Sequence, residues 1–444
     1  MKTVKVITLG CSKNTVDTEH LLAQLPEDAF RVVPETYGSP VDILLINTCG
    51  FIGDAKEESI AVILDAAAAR KRGEAGELIV FGCLSQRYAA ELPAEIPEVD
   101  AWFGARDLDP VLRHLGVEPK PYVTRYSPAH KGYAYLKISE GCDRRCSYCA
   151  IPFIRGAHRS VPIEDLVAEA ATLAASGVKE LILIAQDTTF YGLDLYHRRN
   201  LAELVDRLSE VPGIEWIRIH YCYPADFPLD VLDRMANNPK VCKYLDIPLQ
   251  HIADSVLENM HRNVDGAWTR ELISRLRCQV PGVVLRTTMI VGFPGESEED
   301  FEELLSFVED ARFERLGAFT YSEEEGTYGA EHFADDVAED VKRDRYDRLM
   351  TLQGAMSSSF NQSRVGSVER VMVDDLVDGT LVCRSQYESP EVDGEILVRD
   401  WQGDAPIGEF IDVRIISSDD YDLEAVRVCD FDESYTVTKD GDVK

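Results

Sequence analysis

The chain has 444 residues, of which 45% are hydrophobic and 28% charged, and its formal net charge is −33. Such a composition fits a globular protein of two or three domains. No apolar run approaches the roughly 20 residues that cross a bilayer, and the excess of acid excludes long-range attraction to a phosphate backbone as a driving force, so strong nucleic-acid binding is not expected. A basic protein surface is the partner that this charge steers toward. The amino terminus, MKTVKVITLG, alternates like a strand and lacks a secretory apolar region, so the expected location is cytoplasmic. Eleven cysteines in a reducing compartment point to metal or catalysis rather than disulfides.

The first segment, residues 1–118, repeats one pattern three times. Short apolar strands are expected at Lys5–Leu9, Val41–Ile46 and Leu78–Phe81, with helices at Val16–Leu25 and Lys56–Arg72 between them. Alternation of this kind predicts a three-layer α/β domain around a parallel sheet. Cys11, Cys49 and Cys83 each fall just past one of the strands, 38 and 34 residues apart. Ligands gather at the carboxyl ends of parallel strands, so these thiols are placed to converge on one metal cluster. Taken singly, each would pass for an ordinary buried cysteine. Gly10, Gly50 and Gly82 beside them would let backbone approach a bulky group.

Residues Glu118–Lys131 read as a linker into a central segment, 128–364. There Glu140–Gly156 reads EGCDRRCSYCAIPFIRG, with Cys142, Cys146 and Cys149 separated by three and then two residues. A loop this tight can hold three irons of a cubane by thiolate and leave the fourth open to substrate. Zinc is the alternative, but a structural zinc site usually needs a second cysteine pair, and Cys222, Cys242 and Cys278 are isolated. Gly141, Asp143 and Ser147 favour turns, and Pro152 with Gly156 discourages a helix just after the loop. The spacing resembles the signature of the radical S-adenosylmethionine superfamily. That resemblance implies an open iron chelated by the cofactor's amino and carboxylate groups, and an adenosyl radical that removes hydrogen from substrate.

Six strands are expected after the linker: Ala134–Ile138, Glu180–Ala185, Trp216–His220, Tyr244–Ile247, Val284–Val291 and Arg315–Tyr321. Helices between them predict a partial (β/α)6 barrel with the cysteine loop at its carboxyl-end face. For a zwitterionic, adenine-bearing cofactor, Gln186 or Asp187 and the turn from Gly292 to Glu296 are the best-placed contacts. Against this, a loop Asp or Glu is commonly a helix cap, and Glu296–Ser297 could simply begin the next helix. His220 and His251 read as structural histidines, and Trp216, Tyr221 and Tyr223 as core. Arg343, Arg345 and Arg348 interleave with acids on an expected helix, Glu339–Gln362, and read as a solvated face.

The last domain, 367–434, changes to short strands separated by Asp, Gly and Pro turns: Val368–Val373, Gly379–Arg384, Glu395–Arg399, Gly408–Ile416 and Glu424–Val428. Five such strands predict a small OB-like, TRAM-like barrel. From residue 367 onward there are 7 Lys/Arg and 21 Asp/Glu, a net of 7 − 21 = −14, which argues against RNA and for a basic protein surface.

With its parts in this order, nearly the whole chain resembles the methylthiotransferase family. LGCSKNTVDTE at Leu9–Glu19, the cysteine loop, IHYCYP at Ile219–Pro224 and LDIPLQH at Leu245–His251 are most similar to the branch that modifies ribosomal protein S12. The resemblance implies two [4Fe-4S] clusters, held by Cys11/Cys49/Cys83 and Cys142/Cys146/Cys149. S-adenosylmethionine would serve as methyl donor and as radical source, and the methylthio group would go to the β-carbon of an aspartate in S12, free or on the small ribosomal subunit. An electron donor such as flavodoxin or ferredoxin and a sulfur source are implied as well. The alternative is the tRNA adenosine methylthiotransferase branch, and the two proposed sites would have to lie close together.

Overall fold

The computed structural model describes residues 1–122, 124–126 and 132–428. Much of the expected linker and the end of the third domain beyond 428 lie outside these residues.

The first domain is a parallel sheet of β1 (Lys2–Thr8), β2 (Phe30–Val33), β3 (Val41–Thr48), β4 (Ala75–Gly82) and β5 (Ala101–Trp102) in the order β2-β1-β3-β4-β5. Alternation along the strands splits the core into two layers. Val4, Val6, Ile43, Leu45 and Ile79 pack with Leu21 and Leu22 of helix Ser12–Ala23. Leu44, Ile46, Leu78 and Val80 pack with Ile63 and Ala67 of helix Gly53–Lys71 on the other face. The sequence reading missed β2 and β5. Both are edge strands of four and two residues, too short for periodicity to register.

The second domain begins with β6 (Tyr133–Lys137), followed by a small antiparallel pair, β7 (Ser139–Glu140) and β8 (Arg159–Ser160), that encloses the cysteine loop. Then come β9 (Glu180–Ile184), β10 (Trp216–Ile219), β11 (Val241–Asp246), β12 (Val284–Val291) and β13 (Arg315–Thr320). The six parallel strands order as β13-β12-β11-β10-β9-β6, with β6 and β13 unpaired to each other, so the barrel is open as expected. Contrary to the sequence reading, a helix does follow the cysteine loop, Ile151–Arg155. Pro152 sits in its first turn, where a missing N–H costs nothing, and Gly156 ends it after five residues.

The third domain is a closed barrel of β14 (Val368–Val377), β15 (Thr380–Arg384), β16 (Ile396–Val398), β17 (Phe410–Ser418) and β18 (Leu423–Arg427), with β17 closing on β14. Its β15–β16 loop packs against the strands of the second domain. There Tyr135 and Tyr244 donate to Glu391 and Asp393 at 3.0 and 2.7 Å, and Ser389 bonds His220 at 3.0 Å. Trp216 is core, as read, and packs edge-on to Phe410 with centroids 4.6 Å apart. Among the described residues no helix is long and apolar enough to cross a membrane.

Helix Glu339–Arg364 lies along β13 and corrects the solvated-face reading. Arg343 is exposed, but Arg345 is buried against Glu296, 3.0 Å away. The acids beside it in sequence are not its partners. Its partner comes from the strand-end turn of another element, which charge interleaving along a helix cannot reveal.

Candidate functional site

The three cysteines of the first domain meet at the carboxyl end of its sheet. Cys11 is the residue before helix Ser12–Ala23, Cys49 follows β3, and Cys83 opens helix Cys83–Arg87. Each position is pinned by local hydrogen bonds. Ser59 clamps the Cys49 backbone through both its N–H (3.0 Å) and its carbonyl (2.9 Å). Asn14 is a keystone missed in the sequence reading: its amide donates to Leu9 and Thr48, the ends of β1 and β3, at 2.8 and 3.1 Å. Gly10 has φ +89°, and a Cβ there would come within 2.9 Å of the Cys49 sulfur, so only glycine lets these two loops close. Gly50 and Gly82 likewise face neighbouring backbone, so the close approach these glycines allow is chain to chain.

Burial pushes the Cys83 thiol up to about 11, with the charges of Cys11 and Cys49 adding to it against Arg155. Burial raises Cys49 as well, and Cys11 again adds. The three sulfurs therefore lie within electrostatic reach of one another.

The second trio sits on a loop fixed from several sides. Cys142 N–H donates to Gly156 at 3.0 Å, and Ser147 N–H donates to Met260 at 3.0 Å. Gly141, at φ +77°, lies so close to the Ala157 carbonyl that a Cβ would stand 2.2 Å from its oxygen. Burial pushes Cys142 up to about 12, with Asp187 and Cys146 adding, and raises Cys149 with both other cysteines contributing. Tyr223 is buried, as read, and its ring also stands between the guanidiniums of Arg144 and Arg262, 4.1 and 4.2 Å from its centroid. Arg262 also donates to the Cys146 sulfur at 3.5 Å.

One polar network joins the first trio to the base of the second trio's loop. Arg155, just past the Cys142 loop, donates through Nε to the Cys83 sulfur at 3.3 Å, through Nη2 to Asn14 at 2.5 Å, and through Nη1 to Asp17 and Glu140 at 2.7 and 3.1 Å. Lys137 bonds the same two carboxylates. Burial opposes ionisation of Glu140, but Lys137 and Arg155 outweigh it and hold the carboxyl at about 2. Further seam contacts run from Lys56 and Arg87 to Glu324, both 2.8 Å, and from Arg125 in the expected linker to Glu169 at 2.8 Å.

Of the residues expected at a cofactor, Gln186 donates to Glu140 at 2.9 Å while its Oε1 is buried with no partner among the described residues. Asp187 is engaged: it caps the short helix Thr188–Phe190 and accepts from Arg144 at 2.9 Å. Glu296 accepts from Gly292 and Phe293 N–H at 2.6 and 3.1 Å, so it ties the turn from inside, and burial pushes it up to about 7 against Arg345. Ser297, in a capping box with Asp300, starts the next helix. Gly292, φ +72°, has its open face filled by the Lys342 side chain. His251 accepts from Ala253 N–H at 3.1 Å, a structural contact. No three His, Cys, Asp or Glu side chains among the described residues are gathered to hold a single metal ion. A cubane asks for wider spacing, since each thiolate binds a different iron.

Family models match residues 3–104 (uncharacterized protein family UPF0004), 136–308 (radical SAM superfamily) and 365–428 (TRAM domain). A curated ribosomal protein uS12 methylthiotransferase RimO of Porphyromonas gingivalis is 51% identical over 432 residues, covering 96% of this chain and 99% of that one. The proteins of the same name in Bacteroides thetaiotaomicron and Flavobacterium johnsoniae are 48% and 49% identical over 426 and 423 residues, spanning 96% and 95% of this chain and 98% and 97% of theirs. Among solved structures, the radical S-adenosylmethionine methyltransferase TsrM from Kitasatospora setae superposes with TM-score 0.57 at 15% identity, over 74% of this chain and 77% of its own. The cobalamin-dependent radical enzyme OxsB does so with TM-score 0.51 at 13% identity, over 80% and 56%. These two likenesses speak for the fold.

Proposed function

The chain belongs to the ribosomal protein uS12 methylthiotransferase family of the radical S-adenosylmethionine superfamily, and from that membership we propose that it places a methylthio group on the β-carbon of an aspartate in ribosomal protein S12. S-adenosylmethionine serves both as methyl donor and as radical source. Cys142, Cys146 and Cys149 hold one [4Fe-4S] cluster, and Cys11, Cys49 and Cys83 hold a second that carries the sulfur. A small electron carrier such as flavodoxin or ferredoxin supplies electrons, a separate donor supplies sulfur, and the reaction belongs to the cytoplasm.

The residues suit those groups. All six thiols are free, and burial raises the pKa of four of them, which disfavours thiolates until a cationic cluster compensates. When bound, the clusters supply the electron that breaks the sulfonium bond and a place for the transferred sulfur. The chain's own part is to hold both sites rigidly across one seam. Arg155 and Lys137 neutralise Asp17 and Glu140 there, so these two carboxylates are not left unpaired at the seam. The free Gln186 Oε1 is an acceptor for the cofactor's ammonium or a hydroxyl. Asp187 orients Arg144, and Glu296 with Gly292 shapes the strand-end turn beside which the cofactor lies.

The observation that carries this reading is the near-full-length identity of about half to proteins of one name. Deleting the gene and assaying methylthio-aspartate in S12 alongside methylthio-adenosine in tRNA tests the substrate; loss of the tRNA mark alone sinks it. Iron and sulfide quantification in wild type, Cys11→Ala and Cys142→Ala tests the metal assignment. Two clusters lost independently are expected, and one cluster in all removes the role given to the first domain.

A further inference from the structure

We propose that Lys13 receives the side-chain carboxylate of the aspartate to be modified, and thereby sets the preference for aspartate over its amide. The inference rests on the reading above that an aspartate of S12 is the substrate.

Lys13 lies two residues after Cys11, in the first turn of helix Ser12–Ala23, and is only 8% exposed. The polar groups around it on this helix are taken. Asn14 and Asp17 are bonded to Arg155, and Asp17 also to Lys137. The Lys13 ammonium has no hydrogen bond or ion pair among the described residues; it lies over the face of Tyr221, 3.0 Å from Nζ to the ring centroid. The side chain is largely enclosed while the ammonium itself keeps contact with solvent, and an aromatic face supplies no counter-charge, so an incoming anion can reach it.

Tyr221 is held firmly. Its φ is +57°, its N–H donates to Asp246 at 3.0 Å, and its carbonyl accepts from Thr188 at 3.1 Å. It stands just past β10, on the strand-end face that carries the Cys142 loop, so the ammonium is presented at the seam between the two cysteine trios. The other cations whose charge reaches neighbouring His220 are already paired: Arg218 and Arg384 with Glu180, and Arg286 with Asp246. Of these four cations, Lys13 is the one without a carboxylate partner among the described residues, and so is available to an incoming anion. On an aspartate the carboxylate is one bond from the β-carbon, so holding it also fixes the carbon whose hydrogen is removed. The methionyl carboxylate of S-adenosylmethionine has the same chemistry, and the test separates the two.

Full-length reconstituted protein, wild type and Lys13→Met, is titrated with S12 carrying either aspartate or asparagine at the target position. Wild type is expected to bind the aspartate form at least about tenfold more tightly, the worth of one charge-assisted hydrogen bond. In Lys13→Met that preference falls below about twofold, through weaker binding of the aspartate form alone. Iron content and S-adenosylmethionine affinity stay at wild-type values, and Lys13→Arg recovers part of the preference. Retained preference in Lys13→Met, or no preference in wild type, overturns the inference; so does a loss of S-adenosylmethionine affinity, which assigns Lys13 to the cofactor. Should Lys13→Met lose iron, Lys13→Gln is judged by the same outcomes. Wild type that binds neither form of S12 tells instead against the functional reading.

Discussion

Arg155 shows what one side chain can join. A guanidinium offers five donors in a planar fork, and here they reach a sulfur, an amide oxygen and two carboxylates drawn from two domains. A lysine would keep the charge and lose the fork. Replacement by Met leaves Asp17 and Glu140 to share Lys137 alone, in a place where Arg155 itself is 2% exposed. Arg155→Met is therefore expected to cost about 3 kcal/mol, by the rule for removing one partner of a buried ion pair. It should also release iron from the Cys11 site before the Cys142 site. Guanidinium unfolding and iron quantification check both, and an unchanged midpoint would mean that the two domains dock without this link. Tyr223 carries a similar lesson: its neighbours in sequence are aromatic and apolar, whereas its neighbours in space are two cations and a cysteine.

At the scale of elements, the long helix Glu339–Arg364 does more than shield the barrel. Its last residue, Arg364, and Arg315 of β13 both meet Glu388 of the β15–β16 loop, which joins three elements through one carboxylate. Burial opposes its ionisation, but Arg364 and Arg315 outweigh that and hold Glu388 at about 2. The folded value lies below the ordinary carboxyl value of about 4.3. The stabilisation is thus complete above about pH 4.5 and is lost as pH falls toward 2. Glu388→Gln should lose about 3 kcal/mol at neutral pH, by the rule for removing one partner of a buried ion pair. It should also show a flatter decline between pH 4.5 and 2 than wild type. Unfolding midpoints across that range check the sign, and parallel curves would place the acid-labile charge elsewhere.

At the scale of the molecule, the third domain packs against the second. Trp216, Tyr133, Tyr135, Tyr244 and Met372 form one cluster across that boundary. Trp216→Ala should cost about 3 kcal/mol, within the range for emptying a large aromatic site. It should also make the connection between 364 and 368 more sensitive to protease, and limited proteolysis reads this directly. Net charge acts at longer range. With −33 on the chain, association with the proposed S12 substrate through a basic surface is expected to be fast at low salt and to slow about tenfold or more between 50 and 500 mM salt, as the Debye length shrinks. Stopped-flow association rates check this, and a salt-independent rate would locate recognition in short-range contacts alone.

The sequence alone determined the three-part architecture and pointed to both cysteine trios. Strand period, helix period and the spacing within the Cys142 loop are local quantities that leave their mark within ten or twenty residues, whereas the Cys11, Cys49 and Cys83 trio showed through its repeated placement after a strand. Tertiary structure decided which charges are partners: Arg155 with Asp17, 138 residues away, Arg345 with Glu296, and Lys13 with none among the described residues. Those pairings depend on how domains dock. An ion pair across a seam carries no periodicity, and a lysine in a helix reads the same in sequence whether it faces water or a buried ring.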